Sequence, residues 1–110
     1  MDAHELYGML KDAQERQGYF FNRDDKHTFG ILDGLLINKE RYGYMACPCR
    51  LASGIRENDS DIICPCDYRE EDVREFGSCY CTLYVSGEFN EGKLAKVVVP
   101  ERRPPEKVSF

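Results

Sequence analysis

No cysteine lies outside residues 47 to 81, no apolar run approaches the ~20 residues a membrane span requires, and no apolar h-region follows Met1. The first absence confines the thiol chemistry to one window of the chain. The other two predict a soluble, cytoplasmic protein without a signal or transit peptide. Clustered basic charge is also scarce. Lys and Arg number 15 against 20 Asp and Glu, a net charge of −5 that argues against a general nucleic-acid binder. No G-x-G-x-x-G follows a strand-like segment, so a nicotinamide or flavin donor would have to be carried by another protein. At 110 residues the chain is one small domain whose modest core would gain from a covalent or metal staple.

Six cysteines form three C-x-C pairs, Cys47-Pro48-Cys49, Cys64-Pro65-Cys66 and Cys79-Tyr80-Cys81. Proline fixes its own φ and biases the residue before it toward extended backbone, so each C-P-C reads as a stiff, nearly straight tripeptide. Two extended residues span roughly 6.6 Å between Cα atoms, at the upper edge of what a disulfide tolerates. A bridge inside a pair would be strained, and each pair is expected to offer its sulfurs to something outside itself. Charge is uneven around them: residues 47 to 91 carry 4 basic and 10 acidic side chains, residues 92 to 110 carry 5 and 2.

Hydrophobic spacing and caps outline the scaffold. Asp2-Ala3-His4-Glu5 has the form of a capping box, followed by Leu6, Met9, Leu10 and Ala13 at helical spacing, with Gly18 as the stop. Asn22 to Lys26 reads as a polar loop. Thr28 can cap a second helix with a stripe of Phe29, Leu32, Leu35 and Leu36, ended by Gly43. Gly30 and Gly34 inside it cost up to about 1 kcal/mol each against Ala unless they permit close packing. A short helix from Glu70 to Phe76 is closed by Gly77. Cys81 to Val85 and Leu94 to Val99 read as two strands of an antiparallel ribbon. The expected fold is a small α+β domain, mainly α with a short β ribbon and a site held by loops between helices. It spans residues 1–99, with 100–110 as an extended arm.

Three chemistries fit the sulfurs. A zinc site takes four thiolates, usually from C-x-x-C knuckles, and would leave two cysteines spare. A disulfide scaffold would use all six but sits badly with a cytosolic setting. An iron-sulfur cluster takes four and leaves two to form a redox couple. Arg50, following Cys49, would favour the thiolate needed for exchange.

The order C-P-C-R, C-P-C, C-x-C, preceded by a helix ending in Tyr42-Gly43, resembles the catalytic chain of ferredoxin:thioredoxin reductase. The similarity runs from about Gly18 to Gly92 and includes Phe-x-x-Asp at Phe21 to Asp24. By position, it implies Cys47, Cys64, Cys66 and Cys79 as ligands of one 4Fe-4S cluster. It implies Cys49 and Cys81 as a redox-active disulfide, with Cys49 the exposed nucleophile and Cys81 the buried, cluster-proximal member. The implied activity is a disulfide reductase passing electrons one at a time from ferredoxin, or a similar one-electron carrier, to thioredoxin or a thioredoxin-like protein. With a plant-type ferredoxin near −400 mV and thioredoxin near −270 mV, two electrons release roughly 6 kcal/mol. A second, variable subunit is possible in such a family.

The chain departs from the plant-type pattern in loop lengths, with 14 residues between Cys49 and Cys64 and 12 between Cys66 and Cys79. It also has Tyr80 where that family has histidine. Tyrosine, with an ordinary pKa near 10, is the poorer acid at neutral pH, so Tyr80 is expected to pack and hydrogen-bond beside the disulfide, unless proton delivery comes from elsewhere. His4 and His27 read as surface histidines. Glu70, Glu71, Asp72 and Glu75 read as the solvated face of a short helix, and Arg102, Arg103 and Lys107 as a basic tail that is disordered or helps dock an acidic donor. The rival to an enzyme is a non-catalytic domain, stapled by a zinc or iron-sulfur site, that mediates protein interaction.

Overall fold

The structure, a computed structural model, describes residues 1–95 and 97–108. Helix α1 (Ala3–Arg16) starts as its cap requires, Asp2 Oδ1 accepting the Glu5 N–H at 2.9 Å. Its buried stripe is Ala3, Leu6 and Gln14; Met9 and Ala13 face outward, one position out of phase with the expected face. Strand β1 (Phe20–Phe21) follows, then helix α2 (Asp25–Tyr42). The α2 cap is Asp24, whose carboxylate accepts the His27 N–H, and not Thr28. Thr28 is fully buried and donates to the Asn22 carbonyl at 2.7 Å, so its hydroxyl holds the incoming loop instead of the helix end.

Leu32 and Leu35 of α2 are buried, with Phe29 and Leu36 half-buried beside them. Gly43 closes the helix with a left-handed φ of 88°. Short helical turns come next, α3 (Arg56–Asp59) with a 3-10 turn over Ser60–Ile62, and then α4 (Arg69–Phe76), ended by Gly77. Strand β2 (Tyr84–Val85), α5 (Gly87–Asn90) and α6 (Pro105–Val108) complete the order.

The antiparallel ribbon exists, but with a different partner. Tyr84–Val85 pairs with Phe20–Phe21, in register Phe20 to Val85 and Phe21 to Tyr84. The strand expected over Leu94 to Val99 is absent at the described positions, Lys96 lying outside them. Tyr19-Phe20-Phe21 wins that place because its rings stack into the core: Tyr7 on Phe21 at 4.7 Å and Phe21 on Tyr84 at 5.3 Å between centroids. The β-branched run at 97–99 has only Val99 to bury.

The terminal segment, read as an extended arm, is tied to the domain among its described residues. Arg103, with its side chain fully buried, donates from Nε to Asp61 Oδ2 at 2.9 Å and from Nη2 to the Asn58 carbonyl at 3.1 Å. Asp61 also accepts the Tyr68 hydroxyl at 2.6 Å. Next to it, buried Asp59 accepts from Tyr44 Oη at 2.5 Å and from the Ser53 and Gly54 N–H groups. Arg102 reaches Glu71, Asp72 and Glu75 on α4. That acidic run is therefore not simply solvated: Asp72 is fully buried, and one guanidinium serves three carboxylates.

The two helix glycines behave differently. A Cβ on Gly34 would come within 2.9 Å of the Pro48 ring, whereas one on Gly30 would meet nothing within 4 Å. Gly30→Ala is expected to stabilise the protein by about 0.5–1 kcal/mol through helix propensity. Gly34→Ala is expected to destabilise it by about 1–3 kcal/mol through overpacking against the first cysteine pair. Urea unfolding of the two variants checks the opposite signs.

Candidate functional site

Two backbone hydrogen bonds set the first two cysteine pairs side by side. Cys47 N–H donates to the Ile62 carbonyl and Cys64 N–H to the Met45 carbonyl, both at 2.8 Å, around a bridge between Ala46 and Ile63. Asn38 on α2 donates to the Ala46 carbonyl at 2.7 Å and ties this bridge to the helix. The third pair hangs from the ribbon: Cys79 N–H donates to the Tyr84 carbonyl at 2.9 Å, and Tyr84 N–H points at Cys79 Sγ at 3.4 Å.

The pairs are not straight tripeptides. Arg50 N–H donates to the Cys47 carbonyl and Thr82 N–H to the Cys79 carbonyl, so the first and third pairs are folded into turns, and the Cys64-Pro65 peptide is cis. The proline bias toward extension is local, and closing a turn with an i to i+3 hydrogen bond outweighs it here. Thr82 takes a φ of 57°, an uncommon left-handed conformation for a β-branched residue, at the corner of the third pair. His27 Nε2 lies 2.8 Å from the Cys81 carbonyl, so this half-buried ring braces that corner and is not merely a surface histidine. His4 is exposed and stacks on Phe29 at 4.4 Å.

No disulfide joins any two of the six cysteines. The sulfurs of Cys47, Cys49 and Cys81 lie within 4.8 Å of one another, a three-thiol group that could hold a metal. Cys47, Cys64, Cys66, Cys79 and Cys81 line one pocket together with Arg50, Arg69 and Tyr84. Cys49 is outside it. It is the exposed cysteine, and it opens instead into a groove bounded by Tyr80, Thr82 and residues 97–101.

The thiols differ accordingly. Contacts from the Cys47 and Cys81 thiols draw the Cys49 pKa down, which favours the thiolate at the exposed position. The same contact with Cys49 pushes Cys47 up to about 11, and contacts with Cys47 and Cys49 push Cys81 upward too. Burial holds Cys79 at about 11 and Cys64 well above its ordinary value.

Two buried guanidiniums face the thiol pocket. Arg50 is held from outside by Glu101, with Nε donating to Oε2 at 3.0 Å and Nη2 to Oε1 at 2.9 Å, and it stacks on Tyr80 at 4.5 Å and Tyr68 at 5.2 Å. Arg69 donates to Gln14 Oε1 at 2.5 Å and lies over Tyr19 at 3.7 Å. Arg50 Nη1 and Tyr84 Oη are buried without a partner among the described residues. Orphaned donors beside a cluster of buried sulfurs are what a pocket for an anionic metal-thiolate group presents, because the excess negative charge of such a group needs these donors. The residues present fit such a group.

Tyr80 is half-buried over Arg50, and its pKa is raised by burial and by the nearby Glu101 carboxylate, which makes it a still poorer acid. The sequence gives no signal for Arg69, Tyr84, His27 or Glu101 as site residues, because each arrives through a contact with a residue at least 30 positions away in the chain or through the packing of the core. Arg50 was legible from its place after Cys49.

A small α+β domain carrying a pocket lined by five cysteines, with one exposed thiol beside it, is a setting suited to cysteine redox or metal-thiolate chemistry. The family model for the ferredoxin thioredoxin reductase catalytic beta chain matches residues 4–102, and the chain belongs to that family. Similar curated proteins are the ferredoxin-thioredoxin reductase catalytic chains of Porphyra purpurea and Pyropia yezoensis. Each is 32% identical over 74 residues, covering 66% of this chain and 59% and 60% of theirs. The catalytic chain of Guillardia theta is also 32% identical, with 69% of its length covered. The matched region thus spans about three fifths of the first two relatives. Among the described residues no helix is long and apolar enough to cross a membrane.

Proposed function

We propose that the chain is the catalytic unit of a disulfide reductase. In this reading Cys47, Cys64, Cys66 and Cys79 hold one 4Fe-4S cluster, and Cys49 and Cys81 form the redox-active couple. Ferredoxin or a similar one-electron carrier is the donor, and thioredoxin or a thioredoxin-like protein is the substrate. The observation that carries the reading is the division of the thiols: five line one pocket with two buried arginines, while exposed Cys49 stands outside it within 4.8 Å of buried Cys81.

When bound, the cluster supplies single electrons beside the dithiol. The chain's own residues do the exchange chemistry. The Cys49 thiolate attacks one sulfur of the substrate disulfide; a new S–S bond forms and the other substrate sulfur leaves as a thiolate. The Cys81 sulfur then attacks Cys49 Sγ, re-forming the Cys49–Cys81 disulfide and releasing the second substrate thiol. Cys81 is buried and its pKa is raised, so it is a poor nucleophile toward outside disulfides and acts only on the bond formed next to it. Its proximity substitutes for reactivity. Arg50, fixed by Glu101, sets a positive charge between the Cys66 sulfur and the Cys49 turn. Tyr80 packs against that guanidinium, and His27 braces the Cys81 carbonyl.

Protein purified without oxygen is expected to carry about four irons per chain with a broad visible absorbance. Colourless protein with one zinc would sink the reading in favour of a stapled interaction domain.

A further inference from the structure

We propose that Val97, Val98 and Val99, with Pro100, form the docking edge on which the disulfide-bearing segment of the protein substrate lies. The inference rests on the reading of Cys49 as the attacking thiol and extends it to recognition. The groove into which Cys49 opens has one wall made by Tyr80 and Thr82 and the other by residues 97–101. A protein disulfide that enters this groove to reach Cys49 brings its flanking chain against the groove's walls, of which the second is the longer run of consecutive residues. The wall begins with two bare apolar residues and ends in Glu101: Val98 is 93% exposed and Val97 54% exposed, while Val99 is 6% exposed and anchors the strip in the core. Three consecutive β-branched residues are an unusual choice for a surface loop in a chain with 32% charged residues.

The backbone of the strip is equally available. Among the described residues no hydrogen bond engages the N–H or C=O groups of Val97, Val98 or Val99. Unpaired main-chain groups next to exposed β-branched side chains suit the addition of a segment of another chain, where backbone bonds hold the segment and apolar contacts select it. The strip is also held in place at its far end. Glu101 is clamped on Arg50 by a bidentate pair, and Arg103 is buried against Asp61. The partner is therefore a protein whose disulfide is flanked by an exposed apolar segment with free backbone groups, rather than a small charged disulfide.

The test compares two probes of the reduced holoprotein. One is a thioredoxin retaining a single active-site cysteine blocked as its thionitrobenzoate mixed disulfide; the other is free dithionitrobenzoate. Attack by Cys49 releases thionitrobenzoate from each, so the ratio of the two rate constants isolates recognition from thiol reactivity. Val98→Asp is expected to lower that ratio about tenfold, in the range of a lost interface contact, and Val98→Leu to restore it. Met9→Asp, at a site on α1 that is 64% exposed and outside the groove, controls for added charge. An unchanged ratio in Val98→Asp, or an equal fall in Met9→Asp, would overturn the docking edge. Reaction of both probes that survives Cys49→Ser would instead overturn the assignment of the nucleophile beneath it.

Discussion

Serine at position 49 is expected to lower disulfide turnover by about a thousandfold or more while leaving iron content and helix signal unchanged. The expectation follows from where the thiol sits. Cys49 is the exposed thiol, outside the set that lines the pocket, and its sulfur lies within 4.8 Å of the Cys81 sulfur. Its loss removes the nucleophile without removing a proposed ligand. Cys81→Ser should behave differently, because the first exchange step survives and resolution does not: a covalent adduct with the substrate accumulates after one turnover. Steady-state rates, iron analysis and mass spectrometry of the trapped adduct separate the two variants. Turnover persisting in Cys49→Ser would transfer the role to another sulfur of the three-thiol group.

Arg103→Met is expected to destabilise the protein by about 3–5 kcal/mol, a large part of the ~5–15 kcal/mol typical of a domain. The guanidinium is fully buried, and without it Asp61 is left as a buried charge with only Tyr68 as a side-chain donor. The pH dependence has a definite sign. Burial pushes Asp59 and Asp61 up, but the bonds from Tyr44, Ser53 and Gly54 to the first, and from Arg103 and Tyr68 to the second, outweigh it and hold both below the usual carboxylate range. A carboxylate with a depressed folded pKa contributes stability that is present above its unfolded pKa, about 3.9 for Asp, and is lost as pH falls through the folded value. In Arg103→Met the uncompensated burial of Asp61 reverses that shift, so the variant's deficit should be greatest near neutral pH and should shrink toward pH 4. Denaturant unfolding of both proteins across pH 4 to 8 measures it. A deficit independent of pH would assign Arg103 to packing alone.

That a residue so near the chain's end carries this much is not visible in the sequence. Arg102 and Arg103 stand in a stretch with three prolines and mixed charge, which reads as an extended tail, and their partners are 27 to 45 residues away. The ribbon misled for a related reason. Leu94 to Val99 has better strand composition than Phe20-Phe21, but pairing with Tyr84–Val85 went to the segment whose rings could also stack in the core. Strand propensity reports fit to a half-buried surface, and at 97–99 only one valine has such a surface.

By itself the sequence determined the local and the categorical: the Asp2 cap, the stops at Gly43 and Gly77, the α2 stripe of Leu32 and Leu35, and the triple C-x-C order that carries the family resemblance. These depend on neighbours within a turn or on spacing, and neither needs distant chain. The tertiary structure alone decided which sulfur is exposed, that Arg50 is pinned by Glu101, that His27 braces Cys81, and that a valine strip walls the groove beside Cys49. Each of these depends on burial and on contacts across tens of residues, where the cost of an unpaired buried charge or donor selects the partner, and that selection is made only when the whole chain has closed around it.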